Sequence, residues 1–269
     1  MCPSNTLVKP ATEFARANVL GVGVHAVDMA AAVTLIQDAL SEGRKGYVCL
    51  TGVHGVMEAQ RDPEFHRTLD RSLLIAPDGM PMVWVGRAQG FHIQRVYGPD
   101  FMREVCAQSV KQRTRHFLYG GKPGVVSKLQ SNLETWYPGI RIVGTHTPPF
   151  RPLLPDEQVA LEEKIAKLNP DIIWVGMSTP KQERFMEENI ERLACGVMIS
   201  VGAAFDVHTG NLKDAPRWMK QAGLQWLHRL FQEPSRLWKR YLINNPAFLW
   251  KVMLQLTGLR RFDLPGSVD

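Results

Sequence analysis

Asp78 follows the apolar run Leu73-Leu74-Ile75-Ala76 in a Pro77-Asp78-Gly79 turn, just before a helical pattern that begins near Met80-Pro81. A carboxylate at the carboxyl end of a strand faces the crevice in which open α/β sheets bind ligands, so Asp78 is a candidate for chemistry there. A turn or N-cap aspartate is the commoner fate of such a residue. Sequence order places a second strand end beside it, Leu50-Thr51, which leads into Gly52-Val53-His54. Arg95, in Gln94-Arg95-Val96-Tyr97-Gly98-Pro99-Asp100, stands ahead of a helix that Asp100 is expected to cap, where a cation can meet an anionic ligand. Gly120-Gly121-Lys122-Pro123-Gly124 is a glycine-rich turn into a helix, and backbone amides in such a turn can cradle a phosphate. It is not a P-loop, because no Ser or Thr follows Gly121-Lys122.

Two further strand ends lie close together between Pro170 and Gly210. Ile172-Ile173-Trp174-Val175 stops at Gly176, and Val197-Met198-Ile199-Ser200-Val201 stops at Gly202, with Asp206 just beyond. Between them Thr179-Pro180-Lys181-Gln182 fits a capping box: Thr179 as N-cap, Pro180 at the first helical position, Gln182 reaching back to the cap amide. A helix N-terminus beside a strand end also suits an anion, so Gln182 is open to either role.

Several other chemistries lack their residues. Ser178 and Lys181 have the spacing of serine-lysine acylases, but the Ser-Asp-Asn and Lys-Thr-Gly partner motifs are absent. Cys2, Cys49, Cys106 and Cys195 show no CxxC spacing, and Cys49 and Cys195 fall in apolar segments read as strands, so neither a zinc site nor a disulfide framework is expected. Gly21, Gly23 and Ala26 fit a loose dinucleotide fingerprint, with Glu42 at roughly the right distance. The glycines fall inside an alternating strand, however, and do not open the helix. A nicotinamide-dependent oxidoreductase is therefore an alternative reading with thin support.

The elements that must position these residues alternate strand and helix. Asn18–Asp28 alternates as one strand, and Asp28 is placed to cap an Ala-rich helix ending near Gly43. Strands at 47–50, 73–76, 116–119, 140–144, 172–175 and 197–201 alternate with helices through Met57, Glu64–Asp70, Asp100, Trp136, Leu168 and Lys181. Thr145 to Phe150 is the exit loop of the fourth of these strands. This is a Rossmann-like α/β parallel-sheet core, assigned to residues 1–210, with a helical appendage over 211–269.

The formal net charge of +6 is divided unevenly. Arg217–Phe262 holds nine Lys or Arg and one acid, Glu233, so it carries +8 and the remainder −2. A nucleic-acid partner is not expected, because its footprint would have to lie on the α/β body. The tail places Leu227, Leu230, Phe231, Leu237, Trp238 and Tyr241 at helical spacing among Arg and Lys, with Trp218, Trp226 and Trp250 as further anchors. Such a basic amphipathic segment either packs on the core or lies on an anionic membrane surface. No stretch is long enough to span a bilayer, and the start MCPSNTLVKPATEFAR lacks the pattern of a signal peptide, so a cytoplasmic location is expected.

Taken in order, PDGMP around Asp78, RVYGPD from Arg95, FLYGGKPGV, WYPGIRIVGTH, PDIIWVGMSTPKQE, GAAFDVHTG and the tail from Ala215 resemble the WecG/TagA/CpsF family of bacterial glycosyltransferases, glycosyltransferase family 26. The resemblance runs from about Asn18 to Leu242. It implies an inverting, metal-independent transfer from a UDP-sugar to a sugar on a polyprenyl-diphosphate lipid, with no cofactor. Hexosyl and N-acetylhexosaminyl donors are both open, and the product would serve surface-polysaccharide or cell-wall polymer synthesis.

By resemblance, Asp78 matches the general base, Arg95 and Gln182 lie near the donor diphosphate, Asp206 is a donor-binding acid, and Phe150 is an aromatic near the nucleotide. Thr51, Gly120 and Gly121 join the substrate-binding set. The family usually carries an asparagine shortly after the threonine matching Thr51; this chain has His54, which is expected to substitute for it. Inversion needs a base for the acceptor hydroxyl and charge for the departing diphosphate, and Asp78, Arg95 and helix-terminal amides supply both without a metal. Arg229, Arg236 and Arg240 are expected to meet the membrane or to form a lid. The whole then reads as a peripheral enzyme on the inner face of the cytoplasmic membrane. A non-enzymatic nucleotide-binding membrane adaptor is the third reading, and a homo-oligomer stays open.

Overall fold

The structure, a computed structural model, describes residues 14–265; Cys2 and most of the N-terminal stretch read for a leader lie outside them. Asn18–Asp28 is not one strand. β1 (Arg16–Val19) and β2 (Val22–His25) form an antiparallel hairpin apart from the main sheet. Leu20 and Gly21 turn between them at φ 54° and 84°, the left-handed pair a two-residue hairpin requires. The alternation is real, but it reverses direction at Gly21, which removes the dinucleotide fingerprint from any strand-to-helix turn. Asp28 caps α1 (Met29–Ser41) as expected, accepting from the Ala31 amide at 2.8 Å.

The six strands of the main sheet are β3 (Gly46–Thr51), β4 (Leu74–Pro77), β5 (Arg115–Gly120), β6 (Arg141–His146), β7 (Ile172–Gly176) and β8 (Val197–Ser200). They are all parallel, in the order β4-β3-β8-β7-β5-β6. Cys195 lies in the turn before β8 and not in a strand, although it is buried.

Period-two alternation assigns the two faces. Tyr47, Cys49, Phe117, Tyr119, Ile173, Val175 and Met198 point to one core, with α2 (Val53–Ala59), α3 (Pro63–Asp70), α4 (Met80–Ala88), α7 (Pro155–Leu168) and α8 (Lys181–Asn189). Val48, Leu50, Leu118, Trp174, Val197 and Ile199 point to the other, with α1, α5 (Gly98–Gln112), α6 (Val125–Trp136) and α9 (Ala204–His208). This is a doubly wound α/β layer arrangement. The helices after β7 and β8 leave on opposite faces, and so do those after β8 and β3, so the crevice opens over this central part of the sheet.

The tail forms α10 (Arg217–Gln221), α11 (Gln225–Gln232) and α12 (Pro234–Leu256). It is built into the body. Phe248 and Val252 of α12 are buried in the first core, Gln255 hydrogen-bonds Leu20 and Asn18 of the hairpin, and the Phe262 carbonyl accepts from Asn18 at 2.6 Å. No helix among the described residues is long and apolar enough to cross a membrane.

Candidate active site

Asp78 lies at the end of β4, beside the end of β3: Thr51 pairs with Pro77, and the Asp78 amide donates to the Thr51 carbonyl at 3.1 Å. Its carboxylate Oδ1 accepts from the Gly98 amide at 3.1 Å. A Cβ on Gly98 would sit 3.2 Å from the Val201 carbonyl, so a larger residue could fit only if that backbone gave way slightly. Tyr97, not Asp100, occupies the N-cap position of α5, and Asp100 lies in the first turn. Burial pushes the Asp78 carboxyl up to about 6, against the opposing pull of Arg95, the Gly98 amide and Arg229. It keeps partial contact with solvent, so it is both proton-avid and reachable.

Arg95 comes from the loop before α5. Its Nε donates to the Asp78 carbonyl at 2.8 Å, its guanidinium lies 4.4 Å from the centre of the Tyr97 ring, and Nη2 donates to Gln225 of α11. Tyr97 in turn donates to Asp214 at 2.9 Å, and Lys220 pairs with the other Asp214 oxygen at 2.9 Å. Burial works to raise the Asp214 carboxyl, but the Lys220 and Tyr97 hydrogen bonds outweigh it and hold the group below the usual carboxylate range. Tyr97, Asp214, Lys220 and Gln225 carried no usable sequence signal, since three of them come from the tail and meet the site only through the fold.

The tail also brings its arginines inward. Arg229 of α11 acts electrostatically on Asp78, and Arg240 of α12 on His54. Glu233 accepts from Arg229 at 2.9 Å and from Arg236 at 2.6 Å. Arg236 is exposed, whereas Arg229 and Arg240 are half-buried. Of the three arginines expected at a membrane or lid, Arg229 and Arg240 thus lie close enough to Asp78 and His54 to act on their charge, and Arg236 faces solvent.

His54 does not present a free ring to the crevice. Nε2 lies 3.3 Å from the Thr179 carbonyl and Nδ1 3.1 Å from the Asn244 amide nitrogen. Those partners fix a neutral ring with the proton on Nε2. Burial, and then the Arg240 charge, bring its pKa down to about 4.

The capping box does not form. The Thr179-Pro180 peptide is cis, Pro180 is the residue before the helix, and no side chain caps α8. Thr179 instead donates to Glu183 at 2.9 Å. Gln182, 3% exposed, donates to Glu183 at 2.9 Å and accepts from the Gly202 amide at 3.2 Å. Its amide group is committed to holding the β8 exit.

Gly120 and Gly121 serve close packing. The Gly121 amide donates to the Gly176 carbonyl at 3.0 Å, a Cβ on Gly120 would lie 2.5 Å from that oxygen, and one on Gly176 would lie 2.5 Å from the Phe205 ring. The phosphate cradle read in this turn thus loses the Gly121 amide. Asp206 on α9 is partly exposed, with the Asn211 amide 3.4 Å from its carboxylate. Phe150 is 99% exposed beyond β6, its ring 4.9 Å from the Lys181 ammonium at the start of α8. The structure therefore brings Asp78, Thr51, Arg95 and Arg229 together. Phe150 and Asp206 lie on the elements after β6 and β8.

A doubly wound parallel sheet with a buried carboxylate and several cations at its strand exits is the arrangement of an α/β enzyme whose crevice suits an anionic ligand. Residues 17–262 match the glycosyl transferase WecG/TagA/CpsF family, and the chain belongs to that family of glycosyltransferases. It is 34% identical over 183 residues to the N-acetylglucosaminyldiphosphoundecaprenol N-acetyl-beta-D-mannosaminyltransferase of Bacillus subtilis (strain 168), covering 68% of this chain and 69% of that protein. The protein of the same name from Bacillus spizizenii (strain ATCC 23059 / NRRL B-14472 / W23) is 27% identical over 202 residues, covering 75% of this chain and 76% of that one.

Proposed function

We propose that this glycosyltransferase moves an N-acetylhexosamine, with inversion, from a UDP-sugar to a sugar carried on a polyprenyl diphosphate, in the synthesis of a cell-wall or surface polymer. The observation that carries the reading is the Asp78 carboxyl, lifted to about 6 by burial at the β4 exit and faced by Arg95 and Arg229. Above that pH it is a carboxylate able to take the proton of the acceptor hydroxyl as that oxygen attacks the anomeric carbon. The bond from that carbon to the diphosphate breaks on the opposite side, and the leaving charge falls to Arg229, Arg240 and Arg95. Protein cations do this work in the proposal, and no metal is invoked. Phe150, exposed beside Lys181, is suited to stack on the nucleotide base, and Asp206 to bind the donor.

The names of the Bacillus relatives support the lipid-linked acceptor. So does the outer surface of α12. Trp238, Leu242, Ile243, Leu249, Trp250 and Met253 are exposed large apolar residues on a helix that also carries Lys239 and Lys251. That surface suits an anionic bilayer, where the acceptor's diphosphate sits at headgroup level. Purified protein is tested against a panel of UDP-N-acetylhexosamines with a polyprenyl-diphosphate-N-acetylglucosamine acceptor. Release of UDP and a lipid-linked disaccharide, both persisting in excess EDTA, is expected. Turnover with no donor on that acceptor would refute the reading, and a strict requirement for added divalent metal would refute its electrostatics.

A further inference from the structure

A directional chain of hydrogen bonds runs beneath the crevice from the tail to the sheet. Arg61, in the turn after α2, donates to the side-chain oxygen Oδ1 of Asn244 on α12 at 2.6 Å. The Asn244 amide donates to His54 Nδ1 at 3.1 Å, and His54 Nε2–H points to the Thr179 carbonyl at 3.3 Å. The Thr179 hydroxyl donates to Glu183 Oε1 at 2.9 Å, as does the Gln182 amide, whose oxygen takes the Gly202 amide at 3.2 Å. Each donor meets an acceptor, so the sense of the chain is fixed throughout.

Three of its members are buried, Asn244 and Gln182 at 3% exposed and Glu183 at 1%, while His54 and Thr179 are half-buried and Arg61 is exposed. Glu183 accepts both bonds at Oε1, Oε2 has no hydrogen-bond partner, and burial lifts its carboxyl above the usual carboxylate range. Removing one member of such a network leaves its neighbours' buried polar atoms without the bonds they make here.

The two ends of the chain matter to the crevice. Asn244 lies one helical turn after Arg240, so fixing Asn244 against His54 also fixes the cation that acts on that ring. Thr179 and Gly202 are the backbone just past the β7 and β8 exits. We propose that Asn244 is the positioning residue that registers the appendage helix on the crevice, and that Glu183, through Thr179 and Gln182, carries this register to the strand exits. The proposal rests on the glycosyl-transfer reading only for its effect on turnover.

Amide hydrogen exchange on the full chain tests the proposal without any substrate. Asn244→Leu, more than 40 residues away in sequence, is expected to speed exchange across residues 177–183 and at Gly202 by about tenfold or more while the β3 and β4 amides keep their protection. Unchanged protection of that loop would overturn the proposal. Glu183→Leu should open the same segment, whereas Glu183→Gln, which keeps the accepting oxygen and a neutral group, should restore protection and keep turnover within about twofold.

With the lipid acceptor, Asn244→Leu and Glu183→Leu should each lower kcat by about tenfold, and the double variant should fall no further than the weaker single one. Losses that multiply would show two unconnected structural contacts and overturn the proposal. Absence of transfer in the parent protein would refute the functional reading and leave the exchange result to decide this one.

Discussion

Replacing Asp78 by Asn should make the protein more stable and nearly inactive, with the gain in stability dependent on pH. Burial lifts the Asp78 carboxyl from 3.8 to about 6. At about 1.36 kcal/mol per pH unit, the folded state of the parent carries a penalty of up to ~3 kcal/mol for the charged form above pH 6. Partial solvent contact makes that figure a ceiling. The sign follows from the raised value: the carboxyl favours folding below its unfolded pKa, and that advantage is lost as pH rises through about 6. An amide at this position keeps an oxygen for the Gly98 amide and carries no charge to desolvate.

At pH 8, then, Asp78→Asn should raise the thermal midpoint by about 3–9 °C, taking about 2–4 °C per kcal/mol for a chain of this size and some relief from solvent contact. At pH 4 the two proteins should melt together. Turnover should fall on the order of 10²-fold or more, with UDP affinity retained. Calorimetry at the two pH values and a steady-state assay measure both halves. An Asn variant no more stable at pH 8, or a gain that persists unchanged at pH 4, would refute the buried, proton-avid carboxyl. Near-normal turnover would remove Asp78 from the mechanism.

Arg229→Gln removes a cation that holds the Asp78 pKa down, so the acid limb of kcat/KM should move to higher pH, and UDP should weaken more than uridine. An unmoved limb would place Arg229 away from Asp78. On the outer face of α12, Leu242→Ser, Leu249→Ser and Trp250→Ser together should abolish pelleting with anionic vesicles while leaving UDP binding intact; undiminished pelleting at physiological salt would assign that surface elsewhere. Cutting the chain before Ala215 is a poorer test, because it would uncover the core around Phe248 and Val252; aggregation of that fragment is the expected result, and a well-folded fragment would contradict the packing.

Local chemistry made part of the site legible. Asp78, Thr51 and Arg95 each follow a strand or precede a helix with clear punctuation, and the neighbouring ends of β3 and β4 follow from chain order. Other assignments failed where two local patterns competed. Thr179-Pro180-Lys181-Gln182 reads as a capping box by spacing, yet Glu183 at the next position outcompetes the backbone for both polar side chains because it is buried beside them. Asp100 resembles a cap, yet the helix begins two residues earlier at Gly98, whose amide is taken by Asp78. His54, expected by resemblance to stand in for the family's asparagine, has its Nδ1 taken by Asn244, 190 residues away, which no local pattern reports.

The sequence by itself determined the strand and helix periods, the parallel α/β class, the carboxylate at a strand exit and the basic, Trp-rich character of the tail. These depend on side chains a few residues apart, which periodicity and turn chemistry report directly. Only the tertiary structure decided that the tail is part of the core, that Arg229 and Arg240 act on Asp78 and His54 while Trp238 and Trp250 face outward, and that Gln182 bonds Glu183 while His54 bonds Asn244. Those outcomes depend on which distant groups are buried together. A buried polar atom takes whichever partner the fold supplies, because leaving it without one costs about 1–3 kcal/mol.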